Sequence, residues 1–377
     1  MSVITVVLKL LIAVVVFGLI VFVHEFGHFI MARLMGVRVN EFALGMGPRL
    51  LKFKGKETEY SLRLFPIGGF CSMAGEDAAG GGSVTETDPD VDPNDPRAFF
   101  NKKVWRRILI VVAGAAMNLL LGFVVLVTYF AVFTKPVAEG EPAMYASKII
   151  AQLNEDAPAY QTGLRVGDDV LSINGKRVYT NFDLANILQT DEDGKFDFTV
   201  RRDGEKVALN GVTFDIEVDE ETGTRYLKYD FKVLGVKKTA WTTVTQAARM
   251  ETSVAVMIWR SFGDILTGKY GLNELSGPIG TVEAIGDAAV NESDQGISID
   301  WESLLMMTVI ITVNVGVLNL LPFPALDGGR LVFLVFEGIF RKKVPPKFEG
   351  MVHVIGFVLL LLLMVVVAFS DIWKLFS

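Results

Sequence analysis

The chain has 377 residues, 51% of them hydrophobic and 21% charged, which is too apolar and too long for one ordinary soluble domain. Its formal net charge of -7 offers no global attraction for nucleic acid, and its one cysteine, Cys71, rules out an internal disulfide framework. Three histidines, His24, His28 and His353, are few enough for their positions to be informative.

About four segments are long and apolar enough to cross a bilayer, which takes roughly 20 residues. They are residues 3–31, 108–133, 304–321 and 351–369. The first lacks a basic start and a small-residue cleavage site, so it reads as a retained span rather than a signal peptide. Basic residues cluster between the first two spans (Arg33, Arg38, Arg49, Lys102, Lys103, Arg106 and Arg107 among them) and between the last two (Arg330, Arg341, Lys342, Lys343, Lys347). By the positive-inside rule both loops are cytoplasmic, and the long segment from 136 to 300 faces outward with both termini.

In chain order, the first span ends in "VFVHEFGHFI". After it, Leu50, Lys52 and Lys54 alternate with Leu51, Phe53 and Gly55, and Tyr60, Leu62 and Leu64 alternate with Ser61 and Arg63. That period of two about a Gly-Lys turn predicts a β-hairpin. "GEDAAGGGSVTETDPDVDPNDP" reads as a flexible linker, and "FFNKKVWRRI" as an interfacial approach with Trp105 and arginines at headgroup level.

The outward segment predicts a strand over 148–153, a turn and strand in "GLRVGDDVLSING", a helix in "NFDLANILQ" capped by Asn181, and a hairpin turning at Asp203-Gly204. "APAYQTGLRVGDDVLSINGKRV" resembles a PDZ domain of the bacterial kind, a module with an exposed sheet edge that accepts a peptide strand or a C-terminus. Residues 239–269 are helical in pattern, with Val254, Met257, Ile258, Phe262 and Ile265 on one face. Arg249, Glu251, Arg260 and Asp264 interrupt them too often for a span.

The chemistry lies in "HEFGH", which matches H-E-x-x-H with His24, Glu25 and His28. Residues four apart share a helix face, so both imidazoles can hold one metal ion while Glu25 serves as base toward water. The plain alternative, two histidines satisfied inside a bundle, leaves an ionisable glutamate near hydrocarbon without a task. A catalytic zinc usually has three protein ligands. His353, at the start of the last span, suits an anchoring or capping role. Asp327 in "NVGVLNLLPFPALDGGR", ending the third span after a break at Pro322 and Pro324, is the better third ligand. The first and third spans run in the same direction, so His24, His28 and Asp327 reach the same cytoplasmic-side depth. Glu337 competes as a ligand.

His24-Glu25-Phe26-Gly27-His28 together with Asn319-Leu-Leu-Pro322-Phe-Pro324-Ala-Leu-Asp327-Gly328 resembles the bacterial site-2 protease family, of the regulator of sigma-E protease type. "SGPIG" at 276–280 and residues 114–118 of the second span extend the likeness over nearly the whole chain, although that span reads "AGAAMN" where the family often has Gly-Pro. The resemblance implies an intramembrane zinc metalloendopeptidase acting in regulated intramembrane proteolysis. Its ligands to Zn2+ would be His24, His28 and Asp327, with Glu25 as general base. Asn319, Pro322, Pro324 and Asn118 would help hold the substrate, and Leu62 and Leu64 would border a hairpin edge that keeps it extended. The implied substrate is a single-span membrane protein, an anti-sigma factor or a remnant signal peptide, cut with or without a first extracytoplasmic cleavage.

The expected protein is therefore a polytopic α-helical membrane protein of about four transmembrane helices, with a membrane-associated β-hairpin and an inserted extracytoplasmic PDZ-like α+β domain. Its expected parts are the first span (1–35), hairpin and loop (36–100), second span (101–135), PDZ-like domain (136–236), amphipathic segment (237–300), third span (301–328) and a final segment with the fourth span (329–377). The expected location is the bacterial inner membrane, with lipid and substrate as partners and no nucleic acid. The competing reading is a non-catalytic, membrane-anchored PDZ binding protein, which would have no use for Glu25.

Overall fold

The computed structural model describes residues 2–76, 92, 94–136, 138, 140–189, 193–218, 225–268, 277–293 and 296–376. Along the chain the elements are α1 (Val3–Leu34), β1 (Val39–Lys54), β2 (Glu59–Met73) and α2 (Val104–Phe133). Then follow β3 (Met144–Leu153), α3 (Pro158–Gln161), β4 (Asp169–Ile173), β5 (Lys176–Arg177), α4 (Asn181–Gln189), β6 (Lys195–Arg202) and β7 (Glu205–Thr213). After β8 (Ile216–Val218), β9 (Arg225–Leu227) and β10 (Phe231–Lys237) come α5 (Ala240–Leu266), α6 (Pro278–Ala289), β11 (Val290–Ser293) and β12 (Gly296–Ile299). The chain closes with α7 (Trp301–Asn319), α8 (Asp327–Phe340) and α9 (Pro346–Phe376). Much of the linker read at 75–96 lies outside the described residues, as does Ser276.

Among the described residues four helices, α1, α2, α7 and the 348–371 stretch of α9, are long and apolar enough to span a bilayer. The chain is thus a multi-pass membrane protein with β-structure. It divides into two compact units, residues 1–125 with 258–377, and residues 126–257.

In the first unit, Ala13, Val16 and Ile20 of α1 pack with Ile285 and Ala289 of α6 and with Leu304 and Ile311 of α7. Nearer its other end, Ala32 joins Val39, Phe42, Cys71 and Met73 of the strands, Ile110 and Val111 of α2, and Leu334 of α8. Asp371 of α9 accepts the Gly277 and Gly280 amides (3.3 and 2.9 Å) and so caps the first turn of α6.

The predicted hairpin is longer than its alternation marks, and it folds back on itself. Residues 39–44 pair with 69–73 on one side (Phe42 opposite Cys71, Leu44 opposite Gly69) and lie beside 59–62 on the other (Phe42 opposite Tyr60, Leu44 opposite Leu62). Residues 51–54 complete the sheet against 59–62. The order 69–73, 39–44, 59–62, 51–54 leaves residues 69–73 as one edge. Leu62 is therefore an interior position, a correction to its reading as part of an edge.

Asp327 also differs from expectation. It does not end the third span; α7 stops at Asn319, and Asp327 is the first residue of α8. Pro322 has no N–H to continue the helix. The intervening loop still satisfies its own donors: Phe323 N bonds Leu321 O, Leu326 N bonds Phe323 O, and Ala325 N bonds the His353 ring. The interfacial arginines differ too. Arg107 is buried and donates to Glu337 at 2.6 Å, which occupies the carboxylate read as a competing ligand.

The second unit is built on a sheet in the order β10-β3-β4-β6-β7, with β5 paired to β4. Phe196, Phe198 and Val200 alternate inward from β6 to meet Ile150, Leu164, Val170 and Leu184. The β6–β7 turn carries Asp203 and Gly204 at φ +50° and +88°, the left-handed pair that a two-residue hairpin needs. At α4 the cap is not Asn181. Asp183 accepts the Tyr179 and Thr180 amides (2.8 and 2.9 Å), which puts the cap at Thr180, one residue before the expected Asn181. Ser253 of α5 donates to the same carboxylate at 2.6 Å, tying α5 to α4.

Candidate metal centre

His24 and His28 stand one turn apart on α1, both buried, with their rings edge to face at 4.8 Å between centroids. Their Nε2 atoms are 3.2 Å apart, and each lies 3.2 Å from Asp327 Oδ2. Ligands about 2.05 Å from a tetrahedral ion are separated by about 3.3 Å, so this triangle has the size of three corners of a zinc site. Two imidazoles and a carboxylate also form a donor set that suits zinc.

The groups behind the triangle orient it. His28 Nδ1 donates to the Ile110 carbonyl at 2.9 Å, leaving the Nε2 lone pair free to ligate. At His24 the neighbour is the buried Asn118 amide, with Nδ2 at 3.4 Å from Nδ1, while Asn118 Oδ1 has no partner among the described residues. Turning that amide over lets Oδ1 accept from His24 Nδ1–H and frees His24 Nε2 in the same way. Space is set by Gly114 on α2: a Cβ there would lie 2.3 Å from His28 Nε2 and 2.8 Å from His24 Cε1. Only glycine lets α2 approach this closely.

Asp327 is held from its other side. One turn along α8, the buried Arg330 pairs with Glu76, whose side chain is 6% exposed, and lies over the Phe99 ring at 4.5 Å. Glu76 Oε2 also accepts the Met73 amide at 3.1 Å, so one carboxylate links α8 to the end of the edge strand. Burial pushes the Glu76 carboxyl up, and the Arg330 guanidinium only partly pulls it back.

A cavity of about 290 Å³ opens on the triangle. Its lining includes Glu25 beside the ligands, Asn319 from α7, His353 from α9, and Gly68 to Cys71 and Met73 from the edge strand. A Cβ on Gly69 would lie 3.1 Å from Glu25 Cγ, a measure of how near the edge comes to the base. His24, Glu25, His28, Asp327 and Asn319 thus come together.

Other residues read as substrate-holding do not. Asn118 is fully buried against His24 instead of facing the cavity. Pro322 and Pro324 shape the loop without lining the cavity, and Leu62 borders a separate shallow hollow with Phe42, Leu51 and Phe53. Leu64, half exposed, is absent from both linings. Sequence reasoning missed Glu76, Arg330 and His353. Arg330, three residues after Asp327, carries the one signal that helical spacing could have used.

Comparison with known proteins gives concordant results. A sequence model described as "Peptidase family M50" matches residues 12–363. A Clostridium acetobutylicum protein named as a zinc metalloprotease is 34% identical over 373 residues, covering 97% of each chain. The zinc metalloprotease RasP of Shouchella clausii is 30% identical, covering 98% of this chain and 99% of its own. The regulator of sigma-W protease RasP of Bacillus subtilis is 29% identical, covering 96% and 98%.

Proposed function

The chain belongs to peptidase family M50, the site-2 protease family, and from that premise we propose that it cleaves a single-span membrane protein within its membrane segment, in regulated intramembrane proteolysis. As a member of that family it is a zinc metalloprotease. The observation that carries the finer reading is the His24, His28, Asp327 triangle beside Glu25, in a cavity among membrane-spanning helices. The substrate class is an anti-sigma factor or a remnant signal peptide. The sigma-W regulator among the similar proteins supports the former.

Zinc held by His24, His28 and Asp327 would supply Lewis acidity to the scissile carbonyl. Glu25 takes a proton from the attacking water and returns it to the leaving amine, so the carboxylate ends as it began. A transmembrane helix hides its amides in its own hydrogen bonds and must be opened before it can be cut. Pairing along the 69–73 edge would hold the opened segment extended beside the metal ligands and Glu25; this edge takes over the clamp role read for Leu62 and Leu64. Asn319 offers an amide to the same segment.

The second unit carries the PDZ-like module, with β10 as an edge able to add a peptide strand. The basic loops support an orientation in which this module is extracytoplasmic and the metal centre lies toward the cytoplasmic side of the bacterial inner membrane.

The test is cleavage of a tagged single-span substrate lacking its outer domain, in detergent, by the wild type and by Glu25→Gln. Cleavage by the wild type alone, stopped by a zinc chelator, is the expected result. Equal cleavage by both overturns the role of Glu25.

A further inference from the structure

The geometry points to His353 as a further residue of the reaction: a neutral N–H donor, presented by the last span, for the carbonyl oxygen of the bound substrate. This rests on the protease reading above and adds a group to its cavity.

His353 is 5% exposed and lines the cavity with His24, Glu25, His28 and Asp327. Its Nδ1 lies 3.1 Å from the Ala325 amide nitrogen. A backbone N–H can only donate, so Nδ1 is an acceptor and carries no proton. In the neutral ring the proton is therefore on Nε2. Nε2 is buried and has no hydrogen-bond partner among the described residues. His353 lines the cavity, and a carbonyl oxygen entering it can accept from this N–H.

The ring's setting looks built. Gly356, one turn after His353, lets α9 close on the loop: a Cβ there would lie 2.3 Å from Pro324 Cβ. That approach brings His353 to Ala325, a non-glycine residue at φ +79°. Holding alanine in the left-handed region takes surrounding contacts, and the bond to Nδ1 is one of them. Phe333 of α8 lies against the other part of the ring, at 5.9 Å between centroids.

The cavity has few alternatives for this task. Nδ1 of His28 is committed to the Ile110 carbonyl, and Arg330 is engaged by Glu76. Glu25 and Asp327 act as carboxylates. Asn319 and His353 remain as side-chain N–H donors able to meet a developing oxyanion. His353 gives a hydrogen bond and keeps its proton; the proton from water travels by way of Glu25. An anchoring role, the sequence-based expectation, accounts for neither the bond at Nδ1 nor the buried Nε2.

Two amide variants separate the ring's two nitrogens. An asparagine amide oxygen can stand in for Nδ1 and a glutamine amide nitrogen for Nε2. His353→Asn, His353→Gln and His353→Leu are compared with the wild type and Glu25→Gln for kcat, KM and bound zinc. The expected result is that His353→Gln stays within about tenfold of the wild type, while His353→Asn loses about 100-fold or more in kcat. KM and zinc content are expected to stay near wild type in both. The proposal is overturned if His353→Asn is fully active, if His353→Gln is no better than His353→Leu, or if zinc is lost from both amide variants. The last result would mean that the ring acts through the Asp327 loop. A wild type that cleaves nothing overturns the protease reading and this proposal together. A wild type that cleaves beside a fully active His353→Asn overturns this proposal alone.

Discussion

Glu76 holds Arg330 with one carboxylate oxygen and the Met73 amide with the other, so the helix that begins at the metal ligand Asp327 is registered against the edge strand. Removing the Glu76 charge takes away the buried carboxylate that holds the Arg330 guanidinium. Glu76→Gln is expected to cost roughly 3–5 kcal/mol of stability, read as a lowered midpoint of thermal unfolding in detergent. An apolar double replacement, Glu76→Leu with Arg330→Met, should recover most of that stability. If the pair's function is registration, the double variant remains slow in cleavage although it is stable.

Behind the ligands, Asn118 fixes His24 and Gly114 makes room for both rings. Asn118→Ala should weaken zinc binding by about 10–100-fold, as loss of an orienting partner does, and leave KM for substrate unchanged. A raised KM with unaltered zinc affinity would return Asn118 to the substrate-holding role. Gly114→Ala places a methyl group where the His28 nitrogen stands, and zinc titration should show the site lost.

At the sheet, the 59–62 run is interior and the 69–73 run borders the cavity. Leu62→Ala and Leu64→Ala should leave kcat/KM for cleavage within about threefold, since neither side chain borders the cavity. Gly69→Val, with added atoms against Glu25 and Val21, should lower kcat by about 100-fold through displacement of the base. The reverse pattern in the same cleavage assay would put the clamp back at Leu62.

Glu251 on α5 offers a test by pH. Burial lifts its carboxyl from an ordinary value near 4.5 to about 7. A raised carboxyl binds its proton more tightly in the folded chain. Stability is therefore fullest below pH 4.5 and is lost as pH rises through about 7. Glu251→Gln should raise the unfolding midpoint at pH 8 and leave it nearly unchanged at pH 4.5. An equal effect at both pH values would show that titration of Glu251 is not its source.

Some of this was legible in the linear chain because short-range rules are strong. Apolar runs long enough for a bilayer mark α1, α2, α7 and α9, since exposed peptide groups cannot be left unpaired in lipid. Helical spacing alone puts His24 and His28 on one face with Glu25 adjacent to the first. Asp203-Gly204 marks its turn because few residue pairs accept positive φ at both positions.

The rest depended on contacts between distant segments. Period-two alternation reveals that 50–64 is extended, but it is silent on a hairpin that bends and pairs 39–44 on both flanks, so the edge was assigned to the wrong run. Asp327 could be nominated from its motif, yet its place at the start of α8 follows from the loop and from Arg330 meeting Glu76, 254 residues away. His353 shows the difference most clearly. In sequence it is one polar residue near a span's end, where an interfacial role is the simplest account. In the folded chain a glycine one turn later draws its helix onto the Pro324–Ala325 loop, and a backbone amide decides which ring nitrogen carries the proton. The spans and the histidine pair were set by local spacing and composition. Which groups face the cavity, and in what protonation state, was decided only by packing, because hydrogen-bond partners are chosen by proximity in space.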